Sequence, residues 1–156
     1  MDVESVTLMG IRGEVEFDVI VRHFLDLGGE VLLLDPMSVC GEKHILSAVM
    51  HAKRAFENGT NRSKNILTET VLYAAGERQI GKALEKMKPK PGSKEMVAVL
   101  FDIRDPKLDV LGMERCDGII DVSSEKIEYM DLDVFEGIST EKAILERVAS
   151  VDLMKF

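Results

Sequence analysis

The sequence predicts an α/β fold: a single domain spanning 1–156, with a small mixed sheet surrounded by helices and three consecutive helices inserted in the middle. Three observations carry this. Short apolar runs bounded by turn residues alternate with segments whose apolar residues recur at helical spacing. Between the runs ending at Leu34 and beginning at Met96, every periodic segment is helical. The chain has 156 residues, 46% hydrophobic and 31% charged, which is enough for one domain with its own core.

Val3–Ile11 is rich in β-branched and apolar residues and reads as a strand, with Gly10-Ile11-Arg12-Gly13 as the turn after it. Phe17, Ile20, Val21, Phe24 and Leu27 have helical spacing, and Gly28-Gly29 supplies the stop. Val31–Leu34, ended by Asp35-Pro36, reads as a buried strand. A long helix follows Gly41, with Ile45, Val49, Ala52 and Phe56 as its apolar stripe and Asn58-Gly59 as its end. After the polar loop Asn61–Lys64, Ser63 is the expected N-cap of a second helix carrying Ile66, Leu67, Val71 and Ala74. Gly76 punctuates it, and a third helix carries Ile80, Ala83, Leu84 and Met87.

Met96–Phe101 is expected as a central strand, Lys107–Arg115 as a short helix, and Ile119–Val122 as a further strand. Ser123–Leu132 fits helix and strand alike, since Ile127 and Met130 have helical spacing while Ile127-Glu128-Tyr129 alternates. Ser139 or Thr140 caps a last helix that extends nearly to Phe156. On that helix Ile144, Leu145, Val148, Ala149, Val151 and Leu153 cover an arc of about 200°, wider than one buried stripe needs. Either one side of the arc meets a partner, or the helix is wrapped deeply by its own domain.

No apolar run is long enough to span a bilayer, and the acidic start lacks the positive region of a signal peptide. Cys40 and Cys116 stand apart without CxxC or neighbouring His ligands, which fits structural thiols in a reducing cytoplasm; a disulfide between them is the alternative. Charge is unevenly placed. Lys43–Lys94 holds 11 Lys and Arg against 4 acids, a local +7 in a chain of net −8. Such a field can hold phosphates; the alternative is charge spread over exposed helices. Lys43, Ser47, His51 and Arg54 fall on one helix face beside the apolar stripe. Arg62, Lys64, Arg78 and Lys82 add donors, and Gly76 precedes a helix N-terminus whose N–H groups can meet phosphate. The opposing reading is that Gly76 only ends one helix so that the next can pack.

Enzymatic constellations are not evident. His44 and His51 are two turns apart, unlike the i, i+4 spacing of helical metal ligands, so no metal or other cofactor is expected. Gly10–Gly13 is neither GxGxxG nor a Walker loop. Ser123-Ser124 and Ser139-Thr140 read as caps. Two rivals remain open: a small enzyme or nucleotide-binding regulator using the Gly10–Gly13 turn, and a protein-interaction domain with incidental charge.

Four segments occur in one order: Gly10-Ile11-Arg12-Gly13, Glu42–Ala48, Tyr73–Ile80 and Glu141–Arg147. Together they resemble the small kinase-binding subunit of the KEOPS complex, the TPRKB family. The resemblance covers nearly the whole chain and is poorest over Lys107–Gly137. It implies a non-catalytic subunit that binds a small atypical protein kinase and supports threonylcarbamoyladenosine synthesis in tRNA. It also implies capture of the tRNA acceptor end with its CCA tail. The nucleic-acid candidates are then Lys43, His51, Arg54, Arg62, Lys64, Tyr73, Gly76, Arg78, Gln79 and Lys82, with unpaired bases near Tyr73 and Gln79. The partner-binding candidates are Ile144, Leu145, Val148 and Val151. One departure stands out: the family often has Arg-Tyr-Ala-Ser-Gly where this chain has Leu72-Tyr73-Ala74-Ala75-Gly76, so a guanidinium and a hydroxyl are missing.

Overall fold

The computed structural model describes residues 5–134 and 137–154. The fold is mixed α/β, and its backbone groups into two compact units, each assembled from separate stretches of chain. One comprises Met37–Lys88 and the chain from Asp121; the other comprises the chain up to Pro36 and Pro89–Ile120.

The second unit holds the sheet. Its strands are β1 (Val6–Arg12), β2 (Glu30–Leu34), β3 (Glu95–Phe101) and β4 (Glu114–Arg115), in the order β2-β3-β1-β4. Every pairing is antiparallel. β1 and β2 therefore run the same way on either side of β3, joined by helix α1 (Phe17–Asp26) in a split β-α-β arrangement. The side-chain period of two sends Met9, Ile11, Val31, Leu33, Met96, Ala98 and Leu100 into one cluster, which Ile20 and Phe24 of α1 complete. Phe17, at the end of the α1 stripe, stays 49% exposed.

Gly10–Gly13 differs from its expected form. Gly10, Ile11 and Arg12 lie within β1, paired with β3, and Gly13 donates its N–H to the Lys94 carbonyl at 2.9 Å. Gly10 is there for close approach: an added Cβ would sit 2.0 Å from the Cys116 carbonyl oxygen and 2.5 Å from Ile119 Cγ1. The Gly10 N–H donates to Asp117 Oδ1 at 3.1 Å, and its carbonyl accepts from the Cys116 N–H at 2.7 Å. No free backbone nest for phosphate is left there.

That packing also overturns the strand expected at Ile119–Val122. Asp117–Ile120 is a 3-10 turn, bent by the Asp117 and Cys116 bonds to Gly10, and its isoleucines supply burial rather than a ladder. The stretch expected as one short helix divides into α5 (Leu108–Leu111) and the edge strand β4.

The first unit is helical: α2 (Glu42–Glu57), α3 (Ile66–Ala75), α4 (Ile80–Met87), α6 (Ser124–Tyr129) and α7 (Thr140–Ser150), with a 3-10 turn at Val151–Leu153. The ambiguous Ser123–Leu132 segment is thus helical, capped by Ser123 on the Lys126 N–H. Helix α3 is the centre. All its residues but Leu67 and Thr68 are buried, and α2, α4 and α7 pack around it. Its N-cap is Asn65, whose side chain takes the Thr68 N–H at 2.9 Å, and not Ser63. Ser63 instead donates its hydroxyl to buried Glu69 at 2.8 Å. Ser139 caps α7 on the Lys142 N–H. The expected continuation of that helix toward Phe156 tightens into the 3-10 turn, and residues 155–156 lie outside the described residues. Both thiols are free.

Candidate functional site

His44 fixes the frame. Its Nδ1 accepts the Cys40 N–H at 3.0 Å, so the proton sits on Nε2 and is donated to the Ala74 carbonyl at 2.8 Å. The ring is fully buried, and its pKa is pushed down from 6.5 to about 4 by burial first, then by the charges of Arg147 and Lys126. This pins the amino end of α2 against the carboxyl end of α3. Two turns on, His51 faces α3 again and stacks on Tyr73, with ring centroids 5.2 Å apart.

Beyond His51 the chain turns back at Asn58–Asn61 and is held by one side chain. Glu69, buried on α3, accepts the N–H of Arg62 at 3.0 Å, the N–H of Ser63 at 2.8 Å and the Ser63 hydroxyl. The loop so anchored delivers Arg62. Here α2, the loop, α3, the Arg78 turn and the C-terminal 3-10 turn enclose a cleft of about 800 Å³. Its lining includes His51, Arg54, Arg62, Tyr73, Arg78 and Asp152. Five of these, all but Asp152, were singled out from the sequence.

The polar network in the cleft is dense. Tyr73 donates its hydroxyl to Asp152 Oδ1 at 2.5 Å, and its pKa is pushed up to about 12 by burial first and then by that carboxylate. His51 Nδ1 lies 3.4 Å from Asp152 Oδ2. Arg62 reaches the Val151 carbonyl at 3.3 Å and lies 3.8 Å from Asp152, while its buried Nε has no hydrogen-bond partner among the described residues. Arg78 donates to the Met154 carbonyl. Burial, and then the neighbouring Arg62, hold the Arg78 guanidinium below its ordinary pKa. Arg54 is exposed at the rim and makes no side-chain ion pair or hydrogen bond among the described residues.

A shallower groove of about 240 Å³ runs along α2 and shares His51 and Arg54 with the cleft. Lys43, Leu46, Ser47, Met50 and Leu145 complete it, so the face read from helical spacing is a physical groove. Lys43 is not free there, since it pairs with Glu141 of α7 at 3.2 Å.

Other expected residues lie elsewhere. Gly76 is the left-handed C-cap of α3, with φ +67, and its N–H is spent on the Tyr73 carbonyl. The N-cap of α4 is Gln79, so Gly76 offers no donor to phosphate; an added Cβ would meet Arg147 Cγ at 2.6 Å. Gln79, Lys64 and Lys82 are exposed but do not line the cleft. Tyr73 is 1% exposed, so it gives the cleft a hydroxyl and leaves no ring face for a base. Leu72 and Ala75 are buried, so the departure from Arg-Tyr-Ala-Ser-Gly takes nothing from the cleft lining.

Ile144 and Val148 of α7 and Val151 of the 3-10 turn after it are each 0% exposed, so that part of the arc is core and offers no outward face. Leu145 alone of the four is partly open, on the α2 groove. Sequence reasoning missed Glu69 and Asp152. A lone carboxylate inside the apolar run Ile66–Ala75 was a signal for the first, while nothing local marks the second.

A family model described as kinase binding protein CGI-121 matches residues 18–151, which takes in α1 but for Phe17, the whole cleft lining but Asp152, and all of α7. The chain belongs to that family. It is also similar to the regulatory protein Cgi121 of Methanocaldococcus jannaschii, at 25% identity over 154 residues covering 95% of this chain and 98% of the relative. No helix among the described residues is long and apolar enough to cross a membrane.

Proposed function

We propose that this protein is a non-catalytic, kinase-binding regulatory subunit of a KEOPS-type assembly, and that its cleft receives the CCA acceptor end of tRNA for threonylcarbamoyladenosine synthesis. The kinase part rests on the family. The RNA part rests chiefly on one observation: His51 and Arg54 of α2, Arg62 of the following loop and Arg78 of the turn before α4 converge on a single cleft. Arginine forks there suit phosphate oxygens. Single-stranded RNA offers such a cleft both a backbone and unpaired base edges. Lys64, Gln79 and Lys82 are kept as an outer, weaker ring of contacts. We read the chain as one domain, because neither compact unit is a contiguous segment, and as cytoplasmic, because its two cysteines fit structural thiols of a reducing compartment.

The test is tRNA binding as a function of salt. Single-stranded contacts lose affinity with a log–log slope of roughly 0.7 per phosphate neutralised, so four contacts give a slope of about −3. Arg54→Ala should weaken binding and flatten the slope by somewhat less than one. Removing the CCA tail should cost more than altering a duplex region. Equal affinity with and without CCA would sink the RNA reading.

For the kinase we propose the groove carrying Leu46, Leu145 and Met50, the last 59% exposed. Leu145→Asp should abolish kinase capture in a pull-down while the domain stays folded, whereas Val148→Asp should unfold it. Normal capture by folded Leu145→Asp would place docking elsewhere. The enzyme reading built on Gly10–Gly13 loses its footing, since those N–H groups are committed within the sheet unit.

A further inference from the structure

Two of the cleft's three arginines are already answered, by the segment Val151–Met154. Arg62 donates to the Val151 carbonyl, Arg78 donates to the Met154 carbonyl, and His51 and Tyr73 meet the Asp152 carboxylate. Thus carbonyl and carboxylate oxygens of Val151–Met154 stand where the oxygens of an anionic ligand would stand. The anchoring of this segment is one-sided. Val151 is fully buried, but Leu153 is 82% exposed and Met154 37% exposed, so apolar burial holds the turn only at its start. The backbone after Val151 is a single 3-10 turn rather than the regular helix of α7. Lifting residues 152–154 would exchange polar contacts for polar contacts with a ligand, and the apolar area uncovered on these residues would be chiefly the covered part of Met154.

We infer that this C-terminal turn is an internal competitor: Asp152 and the carbonyls after it occupy the anion positions of the cleft, and a phosphate-bearing ligand must displace them to bind. This rests on reading the cleft as an anion site. The consequence is selectivity. A single phosphate meets a neutralising carboxylate and gains little, whereas a ligand presenting several phosphates can displace the whole turn and recruit Arg54, Arg62 and Arg78 together.

The test uses the full chain and Asp152→Asn, which keeps an acceptor for Tyr73 and removes the charge. Two probes are titrated at low salt: inorganic tripolyphosphate by calorimetry, and CCA-ended tRNA by filter binding. Asp152→Asn removes from the closed turn the attraction of a carboxylate 3.8 Å from Arg62, which in a water-like dielectric should tighten ligand binding roughly sixfold. A chain truncated after Val151 should gain at least as much; if it fails to fold, Asp152→Asn decides alone. Glu146→Gln, which removes an exposed α7 charge outside the cleft, should give no comparable gain. A gain for tripolyphosphate without any tRNA binding supports the competitor and removes the RNA reading. Unchanged or weaker tripolyphosphate binding by Asp152→Asn, or an equal gain from Glu146→Gln, overturns the competitor.

Discussion

Protonating His44 should loosen the amino end of α2 from α3. The neutral ring accepts from Cys40 and donates to Ala74, so a second proton on Nδ1 would face the Cys40 N–H and destroy that bond. The folded pKa is about 4 against an ordinary 6.5. Between those values the unfolded chain binds more protons than the folded one, so stability is full above pH 6.5 and is lost as pH falls toward 4. At about 1.4 kcal/mol per pH unit the complete loss is about 3 kcal/mol, of which about 2 kcal/mol is already gone at pH 5. For a chain of 156 residues that is a fall in Tm of about 6 °C. The assay is urea unfolding at pH 7.5, 6 and 5 for the native chain and for His44→Gln. The variant starts less stable, but its curve lacks this titration, and the difference between the two curves isolates His44 from the acidic side chains that titrate lower. Parallel curves from pH 7.5 to 5 would refute the reasoning.

Glu69→Ala removes the acceptor of three donors, two of them buried, and should cost about 3–5 kcal/mol in urea unfolding, whereas Glu69→Gln, with its carbonyl in the place of Oε1, should cost under about 2 kcal/mol. Equal costs for the two would mean that the carboxylate does not organise the Arg62 loop. Gly10→Ala forces a methyl into the Cys116 carbonyl and should destabilise by at least about 2 kcal/mol; a drop under 0.5 kcal/mol, on the order of a surface substitution, would show that this close approach can relax.

Local chemistry in the sequence determined most of the elements. Continuous apolar runs in Val31–Leu34 and Met96–Phe101, and helical spacing in Phe17–Leu27 and Glu42–Glu57, are properties of a strand or helix taken singly, so they are legible without partners. The same holds for the face of α2 that carries Lys43, Ser47, His51 and Arg54, because 3.6 residues per turn fixes neighbours along one helix.

What required tertiary structure was each choice between two allowed uses of a residue. Gly76 could cap one helix or open the next, and the pairing of its N–H with Tyr73 selects the cap. Ser63 could cap α3 or serve Glu69, and a buried carboxylate with several donors to gather selects the second. The apolar arc of α7 could face outward or inward, and packing against α2 and α3 buries Ile144 and Val148. Ile119-Ile120 has strand composition, but β1 is open at Gly10 for a turn to settle against it. Asp152 is the clearest case. It lies 79 residues from Tyr73 and 101 from His51, and no periodicity spans such distances; only the folded chain brings its carboxylate among the cations of the cleft.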